Sequence, residues 1–194
     1  MARIQTDAKL APLNPEVQEL QVAPTHVLAL DGVGDPAGVH FRSCVAALYQ
    51  VAYALKHRPD SGLAAYAYPP LEALYPDAGP KVDREAWRWR LLLRVPAGVR
   101  HHDLEAAKKE VQARHGDGPA RHVLLDKLDE GRCIEILHGG PYATEHAERR
   151  RMDDYLADHR LRRKGAHHEI YLSDPKRTPQ NMLRTILRVP VAAA

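Results

Sequence analysis

Residues 167–175 read His-His-Glu-Ile-Tyr-Leu-Ser-Asp-Pro, which sets a carboxylate in the middle of an expected strand with a ring two residues away on each side. Strand side chains alternate faces, so His167, Glu169 and Tyr171 share one face while Ile170 and Leu172 share the other. A carboxylate walled by rings loses hydration, which raises its pKa and suits it to acid–base work. A second group lies upstream. Tyr66, Tyr68 and Glu72 fall on one face if the alternation runs through Pro69-Pro70, and on the next strand Trp87 and Trp89 share a face opposite Arg88 and Arg90. Five of the eleven aromatic residues lie between Tyr66 and Trp89. Tyr and Trp carry a polar group that needs a partner when buried, so the clustering points to an aromatic-lined cleft. Such a cleft would stack flat or cationic organic ligands, with Glu169 and Glu72 as polar anchors.

The elements that must position these groups follow from periodicity and turn chemistry. Residues 1–21 form a polar lead-in, and 22–30 read as the first strand. Asp31-Gly32-Val33-Gly34 is a turn, and Asp35-Pro36 is an N-cap with proline in the first helical turn. Phe41, Val45, Leu48, Ala52 and Leu55 recur at helical spacing, which predicts an amphipathic helix over 37–57. Residues 63–74 read as a strand that Pro69-Pro70 confines to an edge or breaks, and 86–95 as a strong strand. Residues 103–115 form a linker helix. In the second half 121–127, 132–138, 167–172 and 182–189 read as strands and 144–160 as a helix. Leu93-Arg94-Val95-Pro96 closes the first half and Leu187-Arg188-Val189-Pro190 the second. With the shared order of elements, this repeat predicts a duplicated α+β module, with one module over 22–97, the linker helix over 101–115 and the other module over 120–191.

Composition narrows the function classes. The 194 residues are 44% hydrophobic and 27% charged, with a net charge of +3, as in a folded globular chain. Arg149-Arg150-Arg151 and the basic residues 160–164 are interleaved with Glu145, Glu148, Asp153, Asp154 and Asp158, so they read as a solvated face. No helix-turn-helix or zinc-finger pattern accompanies them, so no nucleic-acid partner is expected. Cys44, in a helix, and Cys133, in a strand, read as buried reduced thiols. No secretory core or membrane-length apolar run occurs, so a cytoplasmic location without a membrane partner is expected. The twelve histidines show no metal-binding spacing, and neither a P-loop, a dinucleotide fingerprint nor a nucleophile elbow is present. The expectation is therefore a cofactor-free, metal-free domain, monomeric or homodimeric.

Several stretches together resemble one family. Ala29-Leu30-Asp31-Gly32-Val33-Gly34, Pro69 to Leu74, Trp87-Arg88-Trp89, Gly140-Pro141-Tyr142 and His167 to Pro175 with Arg177-Thr178 are similar to the GyrI-like small-molecule-binding domains. These also serve as effector-binding domains of AraC-type and MerR-type regulators; the resemblance is closest to the stand-alone branch. It implies an α+β fold of two βαββ modules (SHS2-type) related by a pseudo-twofold, with helices on one sheet face and a ligand cleft on the other. It also implies that a glutamate on the penultimate strand, here Glu169, sits in that cleft. Some stand-alone members hydrolyse cyclopropane-bearing DNA-alkylating natural products, and others only bind drugs or proteins. On the hydrolytic reading Tyr68, Trp87 and Trp89 stack the ligand. Glu169 or Glu72 activates a water, and Tyr171, Tyr142 or His167 stabilises the oxygen that gains charge. The rival reading is a non-catalytic module that sequesters drugs or binds a protein such as a gyrase subunit.

Overall fold

The computed structural model describes residues 16–58, 63, 66–76 and 82–194. The lead-in up to residue 15 and positions 64–65 of the expected strand lie outside the described residues. The chain divides into two compact units, one of residues 25–128 and one of residues 1–24 with 129–194.

In the first unit strand β2 (Thr25–Val33) leads into helix α1 (Val39–Lys56), then β3 (Leu71–Tyr75), β4 (Arg88–Val95), helix α2 (His101–His115) and β5 (Leu124–Leu128). The antiparallel order is β3-β4-β2-β5. Helix α1 starts two residues later than the spacing predicts. Asp35 does not cap it but closes a tight turn, accepting the Ala37 N–H on its side chain and the Gly38 N–H on its carbonyl. The prolines end β3 at Leu71, because residues 66–70 supply no ladder. The register pairs Leu28 with Leu93, Leu30 with Leu91 and Gly32 with Trp89, so these six share the face on which α1 packs.

Trp89 is a keystone of that face. It is 2% exposed, its ring meets Phe41 edge-on at 5.0 Å, and its indole N–H donates to the Gly34 carbonyl at 3.1 Å. The ring lies flat over Gly32, where a Cβ would fall inside it. Only a residue without a side chain fits there, and Gly32→Ala should lower stability by about 1–3 kcal/mol in a denaturant titration. An unchanged midpoint would contradict this packing.

The second unit holds β1 (Gln18–Val22), β6 (Gly131–Gly139), helix α3 (His146–Asp158), the short β7 (Leu161–Arg163), β8 (His167–Tyr171) and β9 (Arg184–Ala193). Its antiparallel order is β1-β6-β9-β8, with β7 paired to the end of β9. Two strands escape the periodicity argument. β1 lies in the expected lead-in, where Gln18-Glu19-Leu20-Gln21-Val22 has too little apolar content to signal a strand, and β7 has three residues. β1 is completed by β6 across the sequence, with Arg132 clamping Glu19 at 2.7 and 3.0 Å. Similarly β5, expected in the second half, pairs with β2 in the first unit. The first unit thus runs β2, α1, β3, β4, α2 and β5, with β5 beside β2, and the second runs β6, α3, β7, β8 and β9, with β1 beside β6. The core of the second unit joins Ile134 and Ile136 of β6, Met152 and Leu156 of α3, and Leu187, Val189 and Val191 of β9.

Candidate functional site

Register decides which way Glu169 points. Glu169 pairs with Leu187, whose side chain belongs to the α3 core, while His168 pairs with Arg188 on the opposite face. Glu169 therefore faces the first turn of α3. There Arg149 Nη2 donates to Glu169 Oε1 at 2.8 Å, and the Tyr171 hydroxyl donates to Oε2 at 2.8 Å. His167 Nε2 lies 3.3 Å from Oε1. Tyr142, in the 3-10 turn Tyr142–Thr144, sets its ring edge-on to Tyr171 at 5.7 Å and is 38% exposed. The expected group of His167, Glu169, Tyr171 and Tyr142 is thus assembled within one unit, and Tyr142 gives it an accessible ring.

Two members carry no signal in the motif that led there. Glu145 is 5% exposed and sits at the N-cap of α3, with its Oε2 at 3.4 Å from Arg149 Nη2. The i,i+4 spacing of Glu145 and Arg149 was visible, but it read as part of a solvated charged face. The structure turns that helix edge inward.

The electrostatics separate the two carboxyls. Burial raises Glu169, but the His167 ring, the Arg149 charge and the Tyr171 hydroxyl outweigh it and hold Glu169 below the ordinary glutamate value. The rise expected for a ring-walled carboxylate belongs instead to Glu145, which burial and the Glu169 charge push up to about 8 against the pull of Arg149. Burial keeps His167 below its ordinary value, hence neutral near pH 7. Burial, with Glu169, Glu145 and Asp174 nearby, pushes the Tyr142 phenol up to about 12, so it remains a donor. Two carboxyls with pKa values driven apart are the usual basis of an acid–base division of labour. Glu145, His167 and Glu169 also bring three potential metal donors within 4.8 Å. A cation there would have to displace the Arg149 guanidinium, which already neutralises Glu169.

The remaining residues singled out from the sequence lie in the other unit. Glu72 is 1% exposed and held by both Arg94 Nε at 2.5 Å and Nη2 at 3.2 Å. The Tyr66 hydroxyl donates to the Arg94 carbonyl at 2.6 Å, and the Tyr66 and Tyr68 rings meet edge-on at 6.0 Å. Trp87 precedes β4, donates its indole N–H to the Val82 carbonyl and carries Arg84 over its ring at 5.1 Å. Trp89 offers no face to a ligand, because Gly32 and Phe41 cover its ring.

A GyrI-like small molecule binding domain model matches residues 15–192, and the chain belongs to that family. Among solved structures, an uncharacterized conserved protein from Listeria innocua is 33% identical, with a TM-score of 0.83 over 92% of this chain and 93% of its own. A hydrolase from Listeria innocua is 31% identical, with a TM-score of 0.80 over 93% and 94%. The EcmrR C-terminal domain shares the fold at 11% identity, with a TM-score of 0.61 over 92% and 98%. No curated protein matches the chain.

Proposed function

We propose that this small-molecule-binding domain takes flat or amphipathic, including cationic, organic molecules and hydrolyses cyclopropane-bearing alkylators, detoxifying them without a cofactor. The observation that supports this best is the buried Glu169 carboxylate, held ionised beside Arg149 and Tyr171 while its neighbour Glu145 keeps a proton near pH 7. The 31% identity to a solved hydrolase favours turnover over binding alone.

On this reading Tyr142 lays its exposed ring against the ligand, and Glu169 orients a water and takes its proton. A carboxylate with a depressed pKa is a weak base, but ring strain supplies much of the driving force. Tyr171 then acts on Glu169, fixing its rotamer, instead of on the ligand. Glu72, neutralised by Arg94, serves at most as a polar anchor in its own unit, beside the Tyr66–Tyr68 pair. The described residues include no helix long and apolar enough to cross a membrane, which fits a cytoplasmic site of action.

Incubation with a cyclopropane-bearing alkylator, followed by chromatography, tests the reading; the compound should disappear faster than in buffer, and equal decay in both would refute turnover. Tyr142→Ala should weaken binding of a planar ligand about 2- to 10-fold by calorimetry, the worth of one aromatic contact. Unchanged affinity would remove Tyr142 from the binding surface.

A second reading, sequestration without chemistry, draws on the three groups around Glu169. A ligand cation that displaces the Arg149 guanidinium from Glu169 would be anchored by that carboxylate, with Tyr171 and His167 beside it. Tight binding with the compound recovered intact would select this reading.

A further inference from the structure

We infer that His138 is a positioning residue of this site: it holds the turn that carries Tyr142, and through that ring it sets the affinity for a flat ligand. This rests on the reading of Tyr142 as the ligand-facing ring and goes beyond it by naming what fixes that ring in place.

His138 is polar on a strand face that is otherwise apolar. On β6 it lies two residues beyond Ile136, and the register pairs Ile136 with Leu187 and His138 with Thr185. His138 thus faces α3, the side on which Ile136, Met152, Leu156 and Leu187 form the core. It is 2% exposed. An aliphatic side chain would sit there at lower cost, because a buried imidazole must find its hydrogen-bond partners within the protein.

Both ring nitrogens point at the segment that carries the site. Nε2 lies 3.1 Å from the Pro141 carbonyl, which can only accept, so Nε2 carries a proton and donates it. The Thr144 hydroxyl lies 3.4 Å from the same nitrogen but donates to the Pro141 carbonyl at 2.7 Å, and the Thr144 N–H reaches that carbonyl at 2.9 Å. Three donors converge on one oxygen at the start of the 3-10 turn Tyr142–Thr144. Nδ1 lies 3.1 Å from Glu148 Oε2, a close approach without hydrogen-bond alignment. The strong arm of His138 therefore runs to the turn and the weak one to α3.

Tyr142 is the residue after that carbonyl. Its ring is 38% exposed and meets Tyr171 edge-on at 5.7 Å. A ring this open keeps one orientation only where the backbone beneath it is fixed, and an unfixed ring spends ordering free energy when a ligand binds. His138 supplies the fixed point from the sheet. The Glu145 N–H in turn donates to the Tyr142 carbonyl at 3.3 Å, which joins the turn to the start of α3.

The test uses the intact chain and two variants that separate the ring nitrogens. His138→Gln places an amide N–H where Nε2 stood and keeps the bond to Pro141; His138→Asn places one near Nδ1 and loses it. By calorimetry with proflavine, a planar cation, His138→Asn should bind about 2- to 10-fold more weakly, as Tyr142→Ala does, while His138→Gln stays within about 2-fold of wild type. Adding Tyr142→Ala to His138→Asn should cost less than about 2-fold more, because the ring is already out of place. Full multiplication of the two losses overturns the inference. So does an equal loss in His138→Gln, or wild-type affinity in His138→Asn with a lowered denaturant midpoint, which is a purely structural role. Two readouts need no ligand. In nitrogen-15 spectra of wild type, the His138 Nε2 should carry a slowly exchanging proton; a bare Nε2 overturns the inference even if His138→Asn does not fold. With fluorotyrosine in place of tyrosine, the Tyr142 signal should move in His138→Asn and hold its position in His138→Gln; a signal unmoved in both overturns it. If wild type does not bind proflavine, the reading of Tyr142 as the ligand-facing ring fails, and these two readouts still decide whether His138 holds the turn.

Discussion

Glu169→Gln should bind a planar ligand as wild type does and turn over a cyclopropane-bearing alkylator about 10²- to 10⁴-fold more slowly. The amide keeps the shape of the side chain; its carbonyl oxygen can accept from Arg149 while its NH2 donates to the Tyr171 hydroxyl oxygen. It cannot take a proton from water. The substitution also removes the charge that helps push Glu145 up, so Glu145 should lose its proton at lower pH in the variant. Full activity in Glu169→Gln would exclude it as the base. Loss of binding together with activity would make it an anchor, as the sequestration reading holds.

The second large effect lies on the other face of the same sheet. Arg188 donates to Glu135 at 2.9 and 2.7 Å and to Glu130 at 3.3 Å, and Glu130 is 2.9 Å from His168 Nδ1. All four residues are at most 9% exposed. Arg188→Met retains most of the volume but leaves two buried carboxylates with one imidazole, and should lower stability by about 3–5 kcal/mol in a denaturant titration. Burial raises Glu130, but His168 and Arg188 together hold it below its ordinary value of 4.5. Its contribution to stability is therefore present above the unfolded value and is lost as pH falls through the depressed folded value. Without Arg188, Glu130 protonates more readily. The deficit of the variant should be largest near neutral pH and shrink below pH 4.5. A pH-independent deficit would assign the loss to packing instead.

Much of this was legible before any coordinates. The 3.6-residue period placed α1 within two residues of its bounds, and strict alternation put His167, Glu169 and Tyr171 on one face. Alternation gives a face but not what covers it. That depends on register against the neighbouring strand, and the pairing of Glu169 with Leu187 sets Glu169 beside α3. The same gap explains Trp89. Tyr and Trp clusters suggest ligand stacking, but the pairing with Gly32 makes the Trp89 ring part of the core. Glu145 and Arg149 were hidden because an i,i+4 ion pair looks identical on a solvated and on a buried helix edge. β1 was hidden because its strand character comes from β6, more than a hundred residues away in sequence.

Turnover in heavy-oxygen water, read by mass spectrometry of both the small molecule and the intact protein, tests the central claim most directly. Opening of the ring by a water that Glu169 activates predicts a product heavier by one labelled water and a protein of unchanged mass. Unlabelled or unchanged compound, or a protein carrying the ligand covalently on Glu169, would contradict it.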